Sequence, residues 1–314
     1  MSHRPTGAQN PRDAAGVAAP PATAAMAMGP TESRRSALRL NASMVIGAVL
    51  VVLILGLALV SFFWTPYDPG EIDPVARLQS GSLDHPFGTD KFGRDTLTWV
   101  MYGARITLLV GVVAVGIALL IGTPIGIIAA IFAKQPWGIW IDAVIMRAND
   151  ILLAFPALLL AIVFAAVFSP GTGPAMVAVG IAAIPGFARV ARSGTLQVLG
   201  SEYVRAAKAS NRGAPAIAAV HVLPNIAGMV IVQASVAFAI SVLAEAGLSF
   251  LGLGTQAPVP SWGRMLQESQ QFLSTHPELA LWPGVFIALA VLGFNLLGDG
   301  LRDRFDPKME ARGA

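Results

Sequence analysis

ITLLVGVVAVGIALLIGTPIGIIAAIFA, residues 106–133, is a run of 28 residues without a charge. A helix rises about 1.5 Å per residue and a hydrocarbon core is ~30 Å thick, so roughly 20 apolar residues cross it. This run therefore crosses with residues to spare. Five more charge-free stretches accompany it: Met44–Trp64 with 21 residues, Ile151–Phe168 and Gly171–Ala188 with 18 each, Val222–Ala244 with 23 and Leu279–Gly298 with 20. Strands cannot cross singly, because open edges leave backbone groups unpaired in lipid. The sequence predicts an all-α integral membrane protein with six transmembrane helices.

Composition agrees. Of 314 residues only 12% are charged and 55% are hydrophobic, and mean hydropathy is +0.66, where soluble globular chains carry about 25% charged residues. The absence of cysteine excludes a disulfide scaffold, a Cys-ligated zinc or iron–sulfur site and a thiol nucleophile. A net charge of +3 does not imply nucleic acid when the bases sit in membrane-flanking loops.

The Lys/Arg distribution predicts orientation. The N-terminal tail (Arg4, Arg12, Arg34, Arg35, Arg39), Lys134, the fourth-to-fifth connection (Arg189, Arg192, Arg205, Lys208, Arg212) and the C-terminal tail (Arg302, Arg304, Lys308, Arg312) place fifteen bases on one face. The other face has four, Arg77, Lys91, Arg94 and Arg264. Both termini are therefore expected in the cytoplasm. Residues 1–35, rich in Ala, Pro, Gly and Ser, read as a disordered cytoplasmic tail, and residues 36–104 as the first span with an external loop over 65–104. Residues 105–307 read as a five-helix core, and 308–314 as a second cytoplasmic tail. The first span is too long for a signal-peptide core and no small-residue cleavage site follows Trp64, so it is expected to stay as a signal anchor.

Enzyme motifs are missing. No GxxxxGK[ST] phosphate loop or HExxH occurs, and the four histidines (His3, His85, His221, His276) are far apart. GLSFL at 247–251 lacks the second glycine of a nucleophile elbow. In HPFGTDKFGRD, residues 85–95, His85, Asp90 and Asp95 read as turn and cap chemistry at the mouth of the second span rather than as metal ligands. No cofactor or metal is expected on the chain.

Charges at depth carry more information, since each is costly within a bilayer. Glu245 ends a 23-residue apolar run; it is either a pathway or gate residue or a helix end already in the interface. Arg147 and Asp150 stand three apart, the spacing of a same-face pair. Pro156 and Pro185 are expected to interrupt the third and fourth spans, which suits a conduit that opens and closes. Gly122 and Gly126 flank Pro124 at the spacing that lets helices approach closely.

Residues 201–225, SEYVRAAKASNRGAPAIAAVHVLPN, predict a surface helix–turn–helix. Ser201 suits an N-cap and Glu202 the first turn. Asn211 and Gly213 end the run, Pro215 opens a second helix, and Pro224 precedes the fifth span. Tyr203, Val204 and Ala207 give the first helix an apolar side suited to docking a partner.

EYVRAA…HVLPN closely resembles the EAA loop of ABC importer permeases. YDP (67–69), HPFGTDKFGRD (85–95), YGARITLLVG (102–111), MRANDILLAFPALLLAI (146–162) and ARVARSGTL (188–196) resemble the peptide/nickel branch of that family, in its C-type subunits of dipeptide and oligopeptide importers. EAGLSFLGLG (245–254), PSWGRML (260–266) and FNLLGDGLRDRFDP (294–307) complete the set, so the likeness runs from about residue 35 to 307. Two positions depart: Asn211 stands where the family usually has glycine, displaced here to Gly213, and Trp99 where it commonly has arginine.

The resemblance implies a type I importer permease forming half of the pathway beside a B-type permease. Two cytoplasmic ATPase subunits would hold ATP and Mg, and an extracytoplasmic binding protein would deliver peptide. The ATPase contact would fall on Glu202, Tyr203, Arg205, Ala206, Ala207, Asn211, Gly213 and Pro224, with Glu245 and Pro156 as pathway or gate candidates. Nickel chelates or glutathione are alternative cargoes within the class. An ion-coupled secondary transporter with Glu245 as its coupling carboxylate is the alternative outside it.

Overall fold

The computed structural model describes residues 42–135 and 137–305. The tails expected at 1–35 and 308–314 lie outside them; Arg302 and Arg304, counted with the C-terminal tail, lie instead in the last turn of the helix Glu278–Phe305. Helices carry the described residues and no strand is found among them. The charge-free runs become α1 (Ala42–Ser61), α2 (Thr96–Ala133), α5 (Thr172–Leu199), α8 (Leu223–Phe250) and α10 (Glu278–Phe305). Asp95 starts α2: its carboxylate accepts the Thr98 N–H at 2.7 Å and also meets His85 Nδ1 at 3.0 Å, the cap chemistry expected of this stretch.

The third span departs from a straight helix. It is a corner made of α3 (Ile139–Ala154) and α4 (Ala157–Phe168), bent by 83°. The physical cause is Pro156, whose ring disfavours helical geometry in the residue before it; Phe155 has ψ 119°. Among the described residues there are thus five helices long and apolar enough to cross a membrane, or six when the corner counts as one span. Pro185, by contrast, lies inside a continuous α5 and interrupts nothing. Arg189 and Arg192, placed by the sequence in a connection, also lie on α5. That helix, 28 residues long, rises ~42 Å and overruns a hydrocarbon core.

Small residues bring the helices together, as they must where lipid offers no hydrophobic drive for association. A methyl on Gly122 of α2 would stand 2.6 Å from the Ile184 carbonyl and 2.8 Å from Phe187 Cβ on α5. The close approach expected of the Gly122/Gly126 pair is therefore real, and its partner is α5. Gly293 on α10 faces α1 in the same way, with Leu50 Cβ 2.9 Å from where its own Cβ would be. Alanines 114, 161, 175 and 178 fill the meeting of α2, α4 and α5. Arg105 on α2 donates to the hydroxyl and carbonyl of Ser61 at the end of α1, and its guanidinium lies against the rings of Phe62 and Tyr102.

Candidate functional site

α6 (Glu202–Ala209) follows α5 after only Gly200 and Ser201. Ser201 takes the N-cap position but its hydroxyl donates back to the Val198 carbonyl at 2.6 Å, so it caps α5 rather than α6. One residue anchors the short helix. Val204 is fully buried among Phe187, Leu199, Ile217, Val222 and Ile226, and so faces the body rather than a partner. Glu202, Tyr203, Arg205 and Ala206 remain exposed and Ala207 half-buried. The outward surface is thus Glu202, Tyr203, Arg205 and Ala206, with Ala207, four residues after Tyr203, at its inner edge beside Val204; the exposed Glu202–Arg205 pair at 3.4 Å is weak.

The end of α6 is shaped by Asn211. Its φ of +58° is left-handed; its N–H bonds the Lys208 carbonyl at 2.9 Å and the Arg212 N–H bonds the Ala207 carbonyl at 3.2 Å. Those two bonds make a Schellman termination with asparagine where glycine is commonest. Gly213, with φ −66°, uses none of glycine's freedom. The next element, α7 (Ala214–Ile217), has its proline in the first turn and continues through a π turn at Ala218–Val222 into α8. Pro224 therefore sits inside a continuous helix rather than before the span. It has no N–H to give the Val220 carbonyl, and the Leu223 N–H reaches back to Ala218 in wide i→i−5 geometry. Pi turns of this kind absorb such a mismatch.

The two pathway candidates are on other elements. Pro156 forms the α3–α4 corner. Glu245 is 1% exposed, on α8 a little over a turn before the helix ends at Phe250. Its Oε1 accepts from Ser249 Oγ at 2.7 Å and Thr255 Oγ1 at 3.3 Å, and Thr255 Oγ1 meets Thr172 Oγ1 at the start of α5 at 3.1 Å. The carboxyl thereby ties the segment after α8 to α5. It is some distance in the fold from α6, and the structure does not gather the named candidates into one pocket.

Sequence analysis missed two arrangements. Asp150 bonds Arg189 of α5 at 2.6 Å rather than Arg147. Asp142, not singled out at all, takes both Nε and Nη2 of Arg192 at 2.7 and 2.6 Å. Their separation of 50 residues hides the pair from any local pattern. On the opposite end, Trp99 is 5% exposed, donates to the Pro69 carbonyl at 3.2 Å and carries the Arg94 guanidinium 3.6 Å above its ring. Arg94 in turn pairs with Asp90 and with Glu268 on α9 (Trp262–Ser269). The residue that departs from the family pattern thus anchors the loop between α1 and α2.

Comparison with known proteins adds to this geometry. Residues 122–311 match the family described as binding-protein-dependent transport system inner membrane component. The chain is 42% identical over 292 residues to the dipeptide transport system permease protein DppC of Alkalihalophilus pseudofirmus, covering 93% of this chain and 94% of that one. It is 38% identical over 268 residues to the glutathione transport system permease protein GsiD of Pectobacterium atrosepticum, covering 85% and 87%. Among solved structures, a chain of the inward-facing MetNI methionine ABC transporter superposes with a TM-score of 0.57 at 16% identity, covering 66% of this chain and 96% of that one. At that identity the likeness shows the fold alone.

Proposed function

The chain belongs to the family of binding-protein-dependent transport system inner membrane components, and from that premise we propose that it forms half of the translocation pathway of an ATP-driven importer of dipeptides or short oligopeptides. It is a multi-pass transport permease of the bacterial inner membrane rather than a catalyst. The second half of the pathway is a B-type permease. Two cytoplasmic ATPase subunits bind ATP and Mg, and an extracytoplasmic protein delivers the peptide. Both termini face the cytoplasm, with residues 65–104 outside.

The observation that carries the coupling role is α6 itself. A helix of 8 residues is too short to persist alone in water. Here one buried valine and a Schellman turn hold it against the ends of α5 and α8, with Tyr203 and Ala206 turned outward and Ala207 at the rim. It is an exposed, preorganised plug at the junction of two spans. A partner that grips it moves both. Glu202, Arg205, Ala206 and Gly213 frame that contact. Glu245 and Pro156 belong to the pathway that opens and closes.

Peptide cargo follows the relatives' names, and the glutathione permease at 38% identity supports a second cargo within the same class. Uptake of a labelled dipeptide by the reconstituted assembly, competed with glutathione or with longer peptides, separates these. Uptake that runs on a proton or sodium gradient without ATP overturns the ABC reading.

A further inference from the structure

α3 is attached to the rest of the chain in an unusual way. Of its 16 residues only Asn149 is buried, and the Asn149 amide bonds its own helix at the Ile145 carbonyl. Apolar packing therefore contributes little to its hold on the chain. It lies beside both α2 and α5, and the two ion pairs that tie it to another helix both reach α5. Asp150–Arg189 is open to solvent, 45% exposed on each side, the class of pair worth least. Asp142–Arg192 is different: 14% and 29% exposed, with both carboxylate oxygens taken by the guanidinium fork. Bidentate pairing fixes orientation as well as distance.

The position of Arg192 gives the pair its meaning. Arg192 lies between two tight contacts of α5: Ala191 is buried against the body, and a methyl on Gly194 would stand 2.9 Å from Ile226 Cγ2 on α8. Beyond it, α5 runs to Leu199 and turns into α6 within two residues. Within the corner, α4 packs against α5 through Ala161, while α3 is held by this bidentate pair at the end of the helix that leads to the exposed plug.

Resting on the importer reading above, we propose that the Asp142–Arg192 pair is the clasp by which α5 carries the α3–α4 corner when α6 is moved. Asp142 and Arg192 are positioning residues, acting on the conduit through the helices they join. A clasp of this kind needs opposite charges across the gap and is indifferent to which helix carries which. A pair that merely neutralises buried charge has no bearing on helix separation once the protein is folded.

The experiment uses the full reconstituted assembly and the absence of native cysteine. Spin labels at Ala148→Cys on α3 and Gln197→Cys on α5 read the distance between the two helices directly, with and without ATP. In the parent the distance distribution stays narrow in both states. In Asp142→Asn and Arg192→Gln it broadens, and substrate transported per ATP hydrolysed falls by about tenfold, as expected when a two-state element loses the contact that biases it. The exchanged pair Asp142→Arg with Arg192→Asp restores both readouts, whereas Arg189→Gln changes neither. Unchanged distances in folded Asp142→Asn overturn the clasp, as does failure of the exchange to narrow the distribution. The distance readout stands whatever the cargo proves to be, so an assembly that moves no peptide counts against the importer reading and leaves the clasp to be judged by the labels.

Discussion

The Trp262 indole donates to the Val100 carbonyl at 2.9 Å, although 162 residues separate them in sequence. It can do so because residue 103, one turn further along α2, is glycine: a Cβ there would stand 2.7 Å from Trp262 Cδ1. Trp262 is fully buried and joins α9 to the body. Gly103→Ala is expected to lower stability by about 1–3 kcal/mol through overpacking. Trp262→Phe, which loses the donor and leaves part of the indole's volume unfilled, should cost more than the hydrogen bond alone, about 0.5–1.5 kcal/mol. Thermal unfolding of the detergent-purified chain gives both values. Equal stability of Gly103→Ala and parent would show that the indole has room to shift.

Ala207→Glu is expected to uncouple uptake from ATP hydrolysis while leaving membrane insertion intact. Ala207 is half-buried at the rim of the exposed face of α6, and a carboxylate pressed unpaired into a protein contact costs several kcal/mol, ~2–7 on transfer scales for even a neutral polar group. Uptake and ATPase rates are measured side by side in the reconstituted assembly. Normal values for both would remove α6 from the coupling path.

Asn211 supplies a sharper test of the same helix. With φ +58°, Asn211→Gly should preserve uptake, and Asn211→Val should lose it, since left-handed backbone costs a side-chain-bearing residue about 1–2 kcal/mol and a β-branched one more. Full activity in the valine variant would mean that the Schellman turn is not needed.

Glu245 is expected to tolerate an amide better than truncation. Glu245→Gln retains an acceptor for Ser249 and Thr255 and adds a donor at the second carboxyl oxygen, which has no hydrogen-bond partner among the described residues. Glu245→Ala leaves the Ser249 and Thr255 hydroxyl protons without this acceptor, at about 1–3 kcal/mol. Yield and thermal stability of the two variants decide, and equal losses would show that the charge rather than the hydrogen bonding matters.

Topology is tested by single cysteines in the Cys-free chain. Ser80→Cys should react with an impermeant thiol reagent from outside, and Ser210→Cys only after the membrane is breached. The opposite pattern inverts the orientation.

The helices most legible in sequence were those whose evidence is local. An uninterrupted apolar run suffices for α1, α2, α8 and α10, and Asp95 announces the start of α2. Asn211 was recognisable because its tolerance of positive φ belongs to the residue itself. The α3–α4 corner was not, because apolarity counts length and says nothing of direction; Pro156 marks a break, yet Pro185 looks the same and breaks nothing. The difference lies in what surrounds each proline: buried Pro185 is enclosed by packed helices, exposed Pro156 is not. Val204 was misassigned to the docking face because a helix of two turns offers too few residues to fix which apolar side points inward. Ion pairs such as Asp142–Arg192 join residues that only the fold brings together.

The corner at Pro156 also has a mechanical consequence. Because α4 leaves α3 at 83°, it behaves as a crank arm. Its 12 residues give it a length of ~18 Å. A twist of α3 about its own axis by about 10° then sweeps the far tip of α4 through ~3 Å, half a helix radius or more of lateral travel. A straight helix turned by the same amount would only spin in place. The proline thereby turns a small torque at one end of the molecule into displacement at the other.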